Sequence, residues 1–373
     1  MKKFHALEPA IDPNNRITFL LDWELTLKCN LDCSYCGTGH DNSMPYPSLE
    51  ESLRSIDFMF EYADLYMKTK PNGIRYVVLN IYGGEAMTHP DIIKILDEVY
   101  KRYNPYRDNW HLTVTTTTNL IIKPEKLKNY IPYIEEFTCS YHTESTPTQQ
   151  DWFRSNLLFL KENNRRIKVI VLMHTIQENF ENSLRMMEWL DKHEIKYLPR
   201  ALDHGISQVE FNYSEKQKEW FNNFFKSKTY KTDFELTVEP KNEKFDLAND
   251  GGRACCGGRQ VCLNGNLKSR EFFVHNNFYG WNCSVNHFFV FVRQWDGAIF
   301  TNRDCRVNYD GVLGPIGNLA DSEKLLDFTR QNLQNDTLPV IKCCKHRCKC
   351  GLCAPKADDP DTYNNLMRKY YRP

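Results

Sequence analysis

Three cysteines fall within "CNLDCSYC", at Cys29, Cys33 and Cys36, directly after an apolar stretch. Thiols crowded in this way are disulfide partners, zinc ligands or holders of an iron–sulfur group. A disulfide leaves one of the three over. A structural zinc site closes with four ligands in tetrahedral order, which here requires His40 as the fourth. Three thiolates can instead hold three irons of a [4Fe–4S] cube and leave the fourth iron open to a non-protein ligand. Further along, "YGGEAM" carries Gly83, Gly84 and Glu85. Paired glycines let backbone approach a ligand closely, and the adjacent carboxylate can accept a hydrogen bond from a cationic amine. By itself Gly-Gly-Glu is a common turn; behind a thiol loop it gains meaning.

The chain has 14 cysteines. Besides the first three, Cys139 stands alone and the rest lie between Cys255 and Cys353. The start, "MKKFHALEPAIDPNN", has no apolar segment before Pro9 and Pro13, so no secretory signal is visible. Thiols in such a chain are expected to be reduced, and to bind metal or do chemistry more often than to bridge. Their clustering predicts two separate metal-binding regions. Lysine plus arginine equals aspartate plus glutamate, 48 each, which gives no electrostatic case for a nucleic-acid or acidic-membrane partner. No apolar run approaches the roughly 18–20 residues that span a bilayer. A soluble, cytoplasmic protein is expected.

The elements that must position these residues are visible in the hydrophobic rhythm. Strands are predicted at 17–27, 74–83, 111–118, 135–142, 168–175 and 195–202, with helices between them at about 47–69, 90–103, 124–131, 147–164 and 179–193. Pro47 and Ser48 ahead of Glu50 and Glu51 mark a helix start. Six alternations imply βα units around a parallel sheet with right-handed crossovers. Six fall short of the eight of a closed barrel, so the fold class is α/β with a partial (β/α)6 TIM-like barrel, followed by a small cysteine-rich α+β module. The thiol loop follows the first strand, at the edge where barrel loops house chemistry. The expected division is an N-terminal extension at 1–16, the barrel at 17–210, a lysine-rich connector at 211–250 containing the helical "EWFNNFFKS", and the cysteine-rich module at 251–373.

At these motifs the sequence resembles the radical S-adenosylmethionine (SAM) enzymes, whose signature is CxxxCxxC after the first strand. The resemblance covers about residues 17–205. It implies that Cys29, Cys33 and Cys36 ligate a [4Fe–4S] cluster and that the methionyl amine and carboxylate of SAM chelate the open iron. Reductive cleavage then yields a 5′-deoxyadenosyl radical that takes a hydrogen from the substrate, with the electron supplied by a donor such as flavodoxin or ferredoxin. Tyr35 matches the aromatic position beside the adenine. Gly83, Gly84 and Glu85 match the motif that holds the methionine amine. "TTTTN" places Thr117 and Asn119 where a Thr-Asn pair lines the SAM pocket. Ser140 and His142 in "CSYH", and His174 in "LMHT", stand where the family places polar ligands of the ribose or carboxylate. Ser140 and His142 share one strand face, Cys139 and Tyr141 the other. His142 and His174 equally fit ordinary strand-end histidines, and Arg200 fits either a carboxylate partner or a solvated arginine.

In the last third, "CSVNHFFVFVRQWDGAIFTNRDC" (283–305) reads as a hairpin with Asp296-Gly297 at its turn and a cysteine at each outer end. With "CCKHRCKCGLC" (343–353) it resembles the auxiliary-cluster extensions called SPASM and twitch domains. The resemblance implies auxiliary ligands among Cys283, Cys305, Cys343, Cys344, Cys348, Cys350 and Cys353, in one or two [4Fe–4S] clusters. The spacing departs from the family run, so the number of clusters and the pairing of thiol with iron stay open. Structural zinc is the other reading of this third. Cys255, Cys256 and Cys262 are less clearly ligands, because adjacent thiols rarely bind one metal.

Enzymes with such extensions mostly modify peptides or proteins, by crosslinking, oxidation or epimerisation, so maturation of a ribosomal peptide is the leading expectation. A barrel beginning near Ile17 leaves no room for a leader-binding domain ahead of it, which would call for a separate recognition partner. Oxidation of a small molecule such as an aminocyclitol alcohol is the alternative. A non-catalytic iron–sulfur or zinc interaction protein is the third, disfavoured by the intact Gly-Gly-Glu.

Overall fold

The structure is a computed structural model that describes residues 6–7, 17–36, 39–68, 75–103, 110–202, 212–227, 278–303, 305–335, 337–344 and 354–371. Six strands and their helices alternate as the sequence predicts: β2 (Ile17–Thr26), α1 (Leu49–Lys68), β3 (Arg75–Gly83), α2 (Ile92–Arg102), β4 (Trp110–Thr118), α3 (Pro124–Leu127), β5 (Glu136–Tyr141), α4 (Pro147–Glu162), β6 (Arg166–Met173), α5 (Gln177–Lys192) and β7 (Tyr197–Ala201). β1 (Ala6–Leu7) precedes them. Strands β2 to β7 pair in parallel in chain order. The fold class is therefore the α/β partial barrel. α3 is shorter than its predicted span; after it the chain turns through Tyr130 towards Pro132, which cannot donate to a continuing helix.

Alternation within each strand explains the layers. Phe19, Leu21, Trp23 and Leu25 are fully buried in one cluster with Ile56, Met59 and Phe60 of α1. Leu20, Asp22 and Glu24 turn to the face opposite the helices. α1 starts on a reciprocal cap: the Glu51 amide donates to the Ser48 hydroxyl at 3.2 Å and the Ser48 amide to the Glu51 carboxylate at 2.7 Å.

One pairing has no local signature in the sequence. The hairpin strands β9 (Phe289–Arg293) and β10 (Ala298–Phe300) pair antiparallel, as expected, but β9 also lies parallel to β2, with Glu24 opposite Arg293. β11 (Gly317–Asn318) follows β10, so the barrel sheet has nine strands. A second sheet of order β1-β13-β8-β12 joins β1 to three pieces of the last third: β8 (Asn282–Cys283), β12 (Ile341–Lys342) and β13 (Lys356–Ala357). The connector carries α6 (Glu215–Ser227), and α7 (Ser322–Gln334) and α8 (Pro360–Tyr371) complete the described elements. α7 is fastened to α1 by Arg330, which pairs with Glu61. The Tyr62 and Tyr309 hydroxyls, 3.2 Å apart, join the same layers inside. Among the described residues no helix is long and apolar enough to cross a membrane.

Candidate functional site

Cys29, Cys33 and Cys36 sit on the loop that leaves β2, partly exposed and in no disulfide. The chain itself holds this loop open. The Cys29 amide donates to Asn42 Oδ1 (3.0 Å), and Lys28 Nζ donates to the Asn42 carbonyl (2.7 Å). Glu144, in the loop after β5, accepts from both the amide (2.7 Å) and the hydroxyl (2.6 Å) of Ser34. Burial pushes the Cys29 thiol up to about 11 and the Cys33 thiol to about 12, and the neighbouring thiols add to each. Such thiols stay protonated in the metal-free chain. Three free thiols on one loop are a donor set that fits three irons of an iron–sulfur group. His40, the candidate fourth zinc ligand, lies with Nε2 2.9 Å from Asp32 Oδ1 and also contacts Cys36. Among the described residues no group of three or more His, Cys, Asp or Glu side chains is arranged to hold a single metal ion.

The two glycines serve the loop as well. The Gly84 amide donates to the Thr26 carbonyl and the Glu85 amide to the Lys28 carbonyl, both at 2.7 Å. A Cβ on Gly83, where φ is +154°, would overlap the Thr26 carbonyl; one on Gly84 would meet the Lys28 and Leu27 carbonyls. The end of β3 therefore docks flush on the backbone leading into Cys29, beside a register shift between Glu24 and Thr26.

Glu85 is 2% exposed. Its carboxylate accepts from the Met87 amide (3.1 Å), the Thr118 hydroxyl (2.9 and 3.0 Å to the two oxygens) and the Asn119 amide (2.7 Å). Burial nevertheless pushes it up to about 7, against the lowering effect of those bonds. Here Thr118, rather than Thr117, meets the motif; Thr117 lies on the opposite strand face. Just beyond, Leu120 takes φ +56°, a conformation that costs a branched residue of order 1–3 kcal/mol. It is held there by Asn156, which donates to the Leu120 and Ile122 carbonyls at 3.0 and 2.8 Å.

On the other flank Tyr35 is buried beneath the loop, its ring stacked on His142 (centroids 5.9 Å apart) and edge-on to His174 (5.5 Å). His142 Nδ1 lies 3.1 Å from Tyr35 Oη and 3.4 Å from Cys33 Sγ, and burial draws its imidazole down to about 4. His174 Nδ1 accepts from the Ile176 amide at 2.9 Å, which puts the ring proton on Nε2, 3.4 Å from Glu144 Oε1. That separation is long for a hydrogen bond and leaves Nε2 without a close partner. Ser140 shares the His142 face as predicted, and Cys139 and Tyr141 are buried in the core on the other. Arg200 lies half-buried on β7.

The second cysteine group gathers around β8. Cys283 and Cys305 are buried in one cluster with Leu20, Val78 and Tyr82 of the barrel, and Cys344 packs against it. β12 and β13 both pair with β8 at Cys283, so the chain on either side of 345–353 returns to that cysteine. Cys343 donates its amide to the Trp281 carbonyl at 2.9 Å. Cys348, Cys350 and Cys353, with Cys255, Cys256 and Cys262, lie outside the described residues.

The strand faces add residues that sequence reasoning missed. Asn80 Nδ2 donates to Asp22 Oδ1 (2.9 Å), and the Thr115 hydroxyl donates to Asn80 Oδ1 (3.1 Å), across three adjacent strands. Glu24, 6% exposed, accepts from Trp295 Nε1 at 3.2 Å, and burial raises its carboxyl. The available signal was "LLDWELTL", where two carboxylates alternate with large apolar residues. Glu144, Asn30 and Asn42 carry no such signal, being loop residues outside any periodic pattern.

No family model matches the chain, and no curated protein does. Among solved structures it is similar to anSMEcpe with bound AdoMet, at 14% identity over 86% of this chain and 82% of that one, with a TM-score of 0.46. It is similar also to native anSMEcpe with bound AdoMet and the Cp18Cys peptide, at 14% over 86% and 82% (TM-score 0.45). A third is coproporphyrinogen III oxidase from Escherichia coli, a radical SAM enzyme, at 12% over 59% and 53% (TM-score 0.37).

Proposed function

We propose that the chain is a radical SAM enzyme whose Cys29, Cys33 and Cys36 hold a [4Fe–4S] cluster, and which takes a carbon-bound hydrogen from a peptide or protein. When bound, the cluster and SAM supply the reductive cleavage that makes such a hydrogen accessible. The observation that carries the reading is the docking of Gly83-Gly84-Glu85 onto the backbone entering the thiol loop, by two amide donations of 2.7 Å. Two motifs read separately in the sequence are one construction in space. The chain's own part is to hold three sulfurs at the barrel mouth, seat Tyr35 under them, and keep the strand end beyond Glu85 at a fixed distance.

A second group of irons on Cys283, Cys305 and thiols of 343–353 belongs to the same proposal, supported by the convergence of β12 and β13 on Cys283. The peptide substrate follows from the resemblance of these cysteines to auxiliary-cluster extensions. Oxidation of a small hydroxyl-bearing molecule is the second reading, favoured by the Asp22–Asn80–Thr115 row, whose hydrogen-bonding groups lie on the face opposite the helices. Iron counting tests the cofactor assignment. Anaerobically reconstituted protein with Cys29, Cys33 and Cys36 all replaced by alanine should lose one four-iron cluster and keep the rest; no loss of iron sinks the assignment. Mass shifts of a candidate precursor peptide, set against oxidation of an aminocyclitol, separate the two substrate readings.

A further inference from the structure

Two side chains expected to line the nucleotide lie within reach of the thiol sulfurs. Asn119 is 5% exposed, and its backbone amide and both polar atoms of its side chain are engaged by the chain. Its backbone amide donates to Glu85 Oε2 at 2.7 Å, and its Oδ1 accepts from the Ile121 amide at 2.9 Å. That acceptance fixes the amide orientation, leaving Nδ2 directed at Asn30 Oδ1 (2.7 Å) and Cys29 Sγ (3.7 Å). Asn30 cannot flip either, because its Nδ2 donates to the Ile121 carbonyl at 2.6 Å. The Leu31 amide gives Cys29 Sγ a further donor at 3.4 Å.

His142 stands in the same relation to Cys33, with Nδ1 3.4 Å from Sγ. A cysteine bound to iron has lost its S–H proton, so its sulfur can only accept. A bare Nδ1 lone pair facing that sulfur is repulsive, so the loaded site favours the tautomer with hydrogen on Nδ1. Tyr35 Oη, 3.1 Å away, can accept from the same N–H. Hydrogen bonds to cluster sulfurs favour the reduced state, in which the sulfurs carry more negative charge, and so set the reduction potential.

We propose that Asn119 and His142 are positioning residues that donate N–H to the sulfurs of Cys29 and Cys33 and hold the potential of the iron–sulfur group there, rather than binding the nucleotide. The inference rests on the radical SAM reading of the site. Its test is a redox titration, followed by electron paramagnetic resonance, of reconstituted protein without SAM, in His142→Phe and His142→Gln. Phenylalanine keeps the stacked ring and removes the donor; glutamine restores an N–H. The His142→Phe midpoint should lie more negative than that of the wild type, and His142→Gln should return towards it, with the SAM dissociation constant little changed in either. A merely structural role would not distinguish the two by potential. Asn119→Asp, which replaces the donor by an oxygen, should also shift the midpoint negative; if it holds no iron, the His142 pair decides. A His142→Phe midpoint equal to the wild type's, or a SAM dissociation constant raised about tenfold with the potential unmoved, overturns the inference while leaving the function standing. Wild-type protein that takes up no iron on Cys29, Cys33 and Cys36 overturns both.

Discussion

Replacing Glu85 by glutamine separates the proton affinity of its carboxylate from its hydrogen-bonding role. Burial moves this group from the ordinary 4.5 to about 7. The folded chain then binds the proton more tightly than the unfolded chain does. The stability so contributed is complete below the unfolded value and is lost as pH rises through the folded one. A tenfold difference in proton affinity is ~1.4 kcal/mol, so the loss has a ceiling of about 3 kcal/mol. His142 works the other way: drawn from 6.5 down to about 4, it contributes stability that is lost as pH falls through that interval. The wild-type profile is therefore a small difference of opposed slopes, and only subtraction of the variant isolates Glu85. Glutamine can still accept from the Asn119 amide, but its own N–H2 then faces the Met87 amide, at a cost of about 1–3 kcal/mol. Urea unfolding of metal-free wild type and Glu85→Gln, at about pH 5 and about pH 8, reads both effects. The wild type should be the more stable at the lower pH, and its advantage should shrink by up to about 3 kcal/mol at the higher. An advantage independent of pH would refute the buried, proton-retaining Glu85.

Gly84→Ala should destabilise the metal-free chain by at least ~1–3 kcal/mol and sharply reduce iron uptake, because the new Cβ meets the Lys28 and Leu27 carbonyls; denaturant midpoint and iron content measure it. Glu144→Ala removes both acceptors of Ser34. Since Ser34 is exposed, a loss of only about 1 kcal/mol is expected in unfolding. The larger effect should be faster amide hydrogen exchange across Ser34–Cys36, and unchanged exchange there contradicts the clamp.

The barrel was legible because its strands and helices have distinct periods, and burial follows them residue by residue along β5 and β7. Long-range pairing has no local period, so nothing in "FVFVR" foretold that β9 would lie parallel to β2. The placing of the thiol loop after β2 and of Gly-Gly-Glu at the end of β3 was legible. What Glu85 touches was not, because Thr117 and Thr118 are the same residue type and only the strand's facing tells them apart. Glu144 was illegible for a similar reason: one carboxylate in a loop acquires a role only when β5 brings it beside Ser34.

The central claim is that the three thiols hold a cluster able to cleave SAM. Reconstituted protein incubated anaerobically with SAM and dithionite, with 5′-deoxyadenosine quantified against a Cys33→Ala control, tests it most directly. The wild type should form 5′-deoxyadenosine and the control none. A wild type carrying its full complement of [4Fe–4S] cluster that forms no 5′-deoxyadenosine would contradict it.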